Sequence, residues 1–149
     1  MASRYGLEIR AADGADAPGL AELLQAAGFP AAPAAVAGRL ERLRAARATV
    51  LLAVEWGPPS GVVVLHPLQT LEADPPLGVV SALLVAPEAR RRGIGRLLLK
   101  AVSQAARSAG CGDIRLPAAA DHAGLRDFLL ATGFTETDAG FSRPLRKRG

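Results

Sequence analysis

Apolar and polar positions change period several times along the chain, and each change marks an element. Leu7-Glu8-Ile9-Arg10 alternates with the period of two expected of a half-buried strand. Leu20, Leu23, Leu24 and Ala27 then recur at helical spacing, with Asp13 and Asp16 before them as cap candidates and Gly28 beyond the end. Phe29, Pro30 and Pro33 break the chain. A second helical pattern follows, with Val36, Leu40 and Leu43 inward and Arg39, Arg42 and Arg44 outward. Residues 48–55 and 62–65 are β-rich runs joined by Gly57-Pro58-Pro59-Ser60-Gly61, which predicts a hairpin. His66-Pro67 leads into a looser stretch, residues 69–76, that carries Glu72 and Asp74.

Val79-Val80-Ser81-Ala82-Leu83-Leu84-Val85 is short, β-rich and bounded by Gly78 and Pro87, the pattern of a strand buried on both faces. From Ile94 the apolar positions are Ile94, Leu97, Leu98, Ala101, Val102, Ala105 and Ala109, one helical stripe ending at Gly110 as a C-cap. Residues 113–116 predict a strand parallel to 79–85, because a helical crossover joins the two. A short helix over 125–132 and a closing hairpin, 134–137 with 141–145 across Asp138-Ala139-Gly140, complete the chain.

The junction at residues 87–96 is where chemistry concentrates. Arg90, Arg91, Arg92, Gly93, Ile94, Gly95 and Arg96 stand between a buried strand and a helix start. The first turn of a helix has unpaired N–H groups and partial positive charge, and glycines let a ligand approach the backbone. Arginines add forked donors, so a phosphate or diphosphate is the expected guest. The spacing excludes two other phosphate loops: no Gly-Lys-Ser/Thr occurs, and the third glycine of a dinucleotide fingerprint would fall on Leu98.

Arg90-x-x-Gly93-x-Gly95 after Val85-Ala86-Pro87 resembles the acyl-CoA-binding motif of the GNAT superfamily of N-acyltransferases. Downstream, Leu125-x-x-Phe128 followed by Gly133-Phe134 is similar to that family's closing helix and Gly-Phe corner. The resemblance runs over nearly the whole chain. It implies an α+β, three-layer fold: a mixed, mostly antiparallel central sheet of about six to seven strands with one parallel, splayed pair, flanked by helices. It implies one domain over residues 1–149, with an ordered core from 7 to 145. It also implies acetyl-CoA as acyl donor, a primary amine of a small molecule, peptide or protein as acceptor, and pairing of two copies through the last strands. Residues carried over as coenzyme contacts are Leu83, Leu84, Val85, Arg90, Arg91, Arg92, Gly93, Ile94, Gly95, Arg96 and His122, with a backbone N–H near Leu84 or Val85 facing the thioester carbonyl.

Composition narrows the partners. The 149 residues are 50% hydrophobic and 21% charged, as in a globular domain able to bury a core. No apolar run reaches the ~20 residues of a membrane span, and residues 1–10 lack the apolar centre of a leader, so a cytoplasmic location is expected. Cys111 is the only cysteine, which excludes an internal disulfide. A net charge of +4 suits an anionic coenzyme. Aromatics at 4% and the absence of basic-aromatic interleaving argue against nucleic acid, and the C-terminal Arg143, Arg146, Lys147 and Arg148 read as a solvated tail.

Acyl transfer to an amine needs a proton acceptor, oxyanion stabilisation and a proton for the leaving thiolate. Where many relatives carry a carboxylate on the central strand, this chain has Ser81 and Ala82; where many carry a tyrosine acid, it has Leu129; an asparagine at the start of that helix corresponds to His122. The remaining catalytic candidates are His66, whose residue type titrates near neutral pH, Ser81 as a relay through water, and His122 beside Asp121 as proton donor. Each also has a purely structural reading, as a strand-end histidine, a small packed strand residue and a helix-capping pair. Glu72 and Asp74 could attract a cationic acceptor, and an ordered water chain could replace a dedicated base.

Overall fold

The computed structural model describes residues 3–4, 6–117, 123–137 and 143–145. Strands β1 (Ser3–Arg4), β2 (Leu7–Ala11), β3 (Thr49–Val54), β4 (Gly61–Leu68), β5 (Leu77–Val85) and β6 (Asp113–Arg115) form one sheet in sequence order. Every neighbouring pair is antiparallel except β5 and β6, which are parallel. The expected mixed sheet with one parallel pair is therefore present. Its strand count is corrected: β2–β6 carry the sheet and β1 adds a two-residue edge. The shortfall lies at the C-terminus. Residues 134–137 and 143–145 form no strand, and residues 141–142 of the expected return lie outside the described residues.

Helices α1 (Ala17–Ala26) and α2 (Pro33–Ala45) pack on each other, and α2 also meets β3. Helix α3 (Ile94–Ser108) crosses the opposite face from β2 to β6. Side-chain alternation explains the layering. Gly61, Val63 and Leu65 of β4 point to α3; Val62, Val64 and His66 point the other way. Leu52, Val62, Val63 and Leu65 are all buried, so the middle of the sheet is covered on both sides.

Helix α3 buries Ile94, Leu98 and Val102 of the expected stripe together with Leu99 and Ala106, while the expected Leu97, Ala101 and Ala105 are half-buried and Ala109 is exposed. The apolar stripe is broad enough for two rotational settings, and the line of contact across the sheet selects one. The Gly110 C-cap is as expected, with φ of +81° and the Cys111 N–H donating to the Ala106 carbonyl at 2.9 Å. At the start of α1 the expected acidic cap is displaced. Asp13 caps a short 3-10 turn (Gly14–Asp16), while Asp16 turns back to accept from the Asp13 N–H at 2.8 Å and from Arg10 at 2.7 and 2.9 Å.

The chain divides into two compact units after Leu116. In the second, α4 (Ala123–Ala131) ends at Gly133-Phe134, where the Phe134 N–H donates to the Leu129 carbonyl at 3.0 Å. Arg126 donates twice to Glu136, at 3.0 and 2.7 Å, and holds the following segment against the helix.

Candidate active site

Strand β6 pairs with β5 only over Leu77–Val79, through Asp113, Ile114 and Arg115. From Val80 onward β5 has no partner strand on that edge among the described residues. This corrects the expectation of a strand buried on both faces: Val80 and Leu83 are buried, Val79, Ala82, Leu84 and Val85 half-buried, and Ser81 exposed.

Register decides which peptide groups line the free edge. The Ala86 N–H donates to the Ser60 carbonyl at 2.8 Å, and the antiparallel register continues from there through Val85 opposite Gly61 and Leu84 opposite Val62. Bonded and non-bonded pairs alternate in such a ladder. Leu84 and Ala82 therefore direct their N–H and C=O groups to β4, while Leu83 and Val85 direct theirs to the open edge. Of the Leu84 and Val85 amides, that of Val85 faces the open edge and that of Leu84 faces β4; the Leu83 amide also faces the edge.

Beyond β5, a 3-10 turn (Pro87–Ala89) precedes the basic loop. Arg91 has φ of +67° and Gly93 +80°, with Gly93 the N-cap of α3. A side chain in this region costs about 1 kcal/mol, and such strain gathers where a ligand is held. The Leu97 N–H is taken by the Gly93 carbonyl at 3.1 Å, which leaves the amides of Ile94 and Gly95 at the helix opening. A Cβ built on Gly93 would meet nothing within 4 Å. Its open side faces space that an anion can enter.

The arginines divide in role. Arg90 and Arg91 are exposed and form no ion pair among the described residues. Arg92 instead bonds Glu55, just past β3, whose side chain is only 14% exposed. That pair ties the loop to the sheet. The motif spacing puts Arg92 among the diphosphate contacts and gives no sign of Glu55, which lies 37 positions earlier in the chain. Arg96 is exposed on the first turn of α3. Two uncommitted guanidinium groups, first-turn amides and a glycine without obstruction match the donors a diphosphate requires.

Two of the catalytic candidates come together. His66 Nε2 lies 2.8 Å from Ser81 Oγ. A bulge makes the contact. Val64 stands opposite Ala82 but Leu65 stands opposite Val80, so Ser81 is the extra residue of β5. It sits where β5 leaves β6 behind. His122 lies outside the described residues. Glu72 and Asp74 are exposed, in a segment held by Gln69, which donates to the carbonyls of Thr70 and Ala73.

A mixed sheet with one parallel pair of unequal strand length, followed by a helix that opens on a glycine, defines the class of fold. The chain belongs to the acetyltransferase (GNAT) family, whose model matches residues 18–134. Among solved structures, a Trypanosoma brucei acetyltransferase superposes with a TM-score of 0.80 at 21% identity, covering 93% of this chain and 99% of its own. Glucosamine-6-phosphate N-acetyltransferase from Arabidopsis thaliana gives 0.79 at 16%, covering 94% and 99%. AAC(6')-Iy, in complex with a CoA-containing bisubstrate analogue, gives 0.77 at 21%, covering 95% and 99%. At these identities the likeness is one of fold. No curated protein matches the chain significantly. Among the described residues no helix is long and apolar enough to cross a membrane.

Proposed function

We propose that this protein is an N-acetyltransferase that moves the acetyl group of acetyl-CoA to a primary amine by direct attack, in the cytoplasm. The observation that carries this reading is the free distal edge of β5. Its Leu83 and Val85 peptide groups face outward, and the same strand leads on into a loop that carries the exposed Arg90 and Arg91 and the open amides at the start of α3. An extended pantetheine arm fits a strand edge because its amides complete the ladder that β6 leaves unfinished. Its diphosphate end then meets the start of α3, and Arg90 and Arg91 supply charge there. A backbone N–H beside the thioester carbonyl stabilises the oxyanion as the amine attacks. Both compact units are assigned to one catalytic domain, since the family match runs across residue 116 without a break.

The acceptor class is left broad: a small molecule, peptide or protein bearing a primary amine. The test is release of free thiol from acetyl-CoA in the presence of sisomicin, glucosamine 6-phosphate or a peptide with a free α-amine, with coenzyme A affinity measured in parallel. Turnover with any of the three above the spontaneous rate is the expected result. A domain that binds the coenzyme without turning over is the second reading, favoured by a hydroxyl, Ser81, standing on the central strand where a carboxylate would be a stronger base. Coenzyme binding without thiol release would establish that reading instead, and absence of both would end the assignment of the loop.

A further inference from the structure

We propose that Ser81 and His66 form a proton relay that deprotonates the acceptor amine. This rests on the acyltransfer reading above and gives its missing base an identity. Neither residue would serve alone. A serine hydroxyl is too weak a base to hold a proton from an ammonium group, and His66 stands one strand further from the free edge of β5. The bulge joins the two. By inserting Ser81 as an extra residue at the point where β5 leaves β6, it exposes the hydroxyl and sets Oγ 2.8 Å from His66 Nε2. Leu83, whose amide faces the same edge, follows two residues later, about 6.8 Å along the strand. The hydroxyl thus lies within reach of a nitrogen attacking a carbonyl held by that amide.

The sequence of bonds is balanced as follows. With the ring proton on Nδ1, the Ser81 O–H donates to His66 Nε2. The acceptor ammonium gives a proton to Ser81 Oγ while the hydroxyl proton passes to Nε2, leaving a neutral amine and an imidazolium. The amine lone pair forms the N–C bond, the C–S bond breaks, and the second nitrogen proton leaves with the thiolate to give the free thiol. His66 then returns its proton to solvent. Ser81 touches the reacting nitrogen, so it is the catalytic residue; His66 acts through it and is a positioning residue and proton reservoir. The hydroxyl carries a proton only and forms no ester.

The experiment compares wild type, Ser81→Ala, His66→Ala and the double variant, using whichever of the three amines turns over. Each single variant is expected to lose ~100-fold or more in kcat with acetyl-CoA affinity within about two-fold of wild type. The double variant is expected to be no worse than the worse single one, because the two residues act as one unit. Added imidazole should restore His66→Ala but not Ser81→Ala, a response that a merely structural role would not give. Retained acetyl-CoA affinity verifies that each variant is folded. Unchanged kcat in either single variant, or additive losses, would overturn the relay while leaving the acyltransferase reading intact. An acetyl group covalently attached to Ser81, seen by intact mass after acetyl-CoA alone, would also overturn it. Failure of the wild type on all three amines would remove both readings together.

Discussion

A methyl group at Gly61 has nowhere to go. It would stand 2.9 Å from Leu98 Cδ1, 3.1 Å from Ile94 Cγ2 and 3.1 Å from the Leu84 carbonyl oxygen. At Gly93 the same methyl meets no atom within 4 Å, and its cost is the positive φ alone. The two glycines therefore serve different ends, close packing of α3 on β4 in one case and an open helix start in the other. Gly61→Ala is expected to destabilise by about 1–3 kcal/mol through overpacking, and Gly93→Ala by about 1 kcal/mol through strain. Denaturant midpoints measure both. Only Gly93→Ala should also weaken coenzyme A binding beyond what its stability loss explains, because its methyl occupies the approach to the amides. The Gly93 role was readable from the motif spacing. The Gly61 role was not, since a glycine in a hairpin turn carries no mark of the helix that later lies over it.

Among elements, the join between β2 and α1 shows how one carboxylate can hold two. Asp16 accepts both Arg10 guanidinium nitrogens and the Asp13 N–H, so it closes the turn and ties it to β2. The hydrogen bond from Arg10 holds its carboxyl below the ordinary aspartate value of 3.8, against the opposing effect of burial. The folded state thus binds this proton less readily than the unfolded chain. Its stabilisation is complete above the unfolded value and disappears as pH falls through the lowered folded value. Asp16→Asn is expected to cost about 1–2 kcal/mol at neutral pH. The gap from wild type should close as pH drops below 4, followed by urea denaturation across that range. A gap independent of pH would mean that charge plays no part in the join. The sequence marked Asp13 and Asp16 as caps but could not assign Asp16 to Arg10, because a bond running backward from a turn to a strand has no fixed spacing.

At the scale of the molecule, charge and the sheet's open edge should act on different parts of one ligand. The net charge is +4, and the uncommitted guanidinium groups of Arg90 and Arg91 lie at the start of α3. Coenzyme A affinity is therefore expected to fall as salt rises from 20 to about 500 mM, since these contacts are exposed and the Debye length shrinks to below ~5 Å. Pantetheine, which lacks the diphosphate, should bind far more weakly and with little salt dependence. Calorimetric titration of both ligands distinguishes this from a site governed by the strand edge alone, for which the two would respond to salt alike.

What the linear chain determined was local in origin: element types from the period of its apolar positions, the basic, glycine-containing opening of α3 at residues 90–96, and through that motif the family. These follow from neighbours within a turn or a strand, where spacing alone fixes geometry. Tertiary structure decided the rest. The bulge that brings His66 to Ser81, the Leu83 and Val85 peptide groups on the free edge, and the commitment of Arg92 to Glu55 each depend on the register of one strand against another. Register is set by the packing of both faces together, and no window of sequence contains both partners.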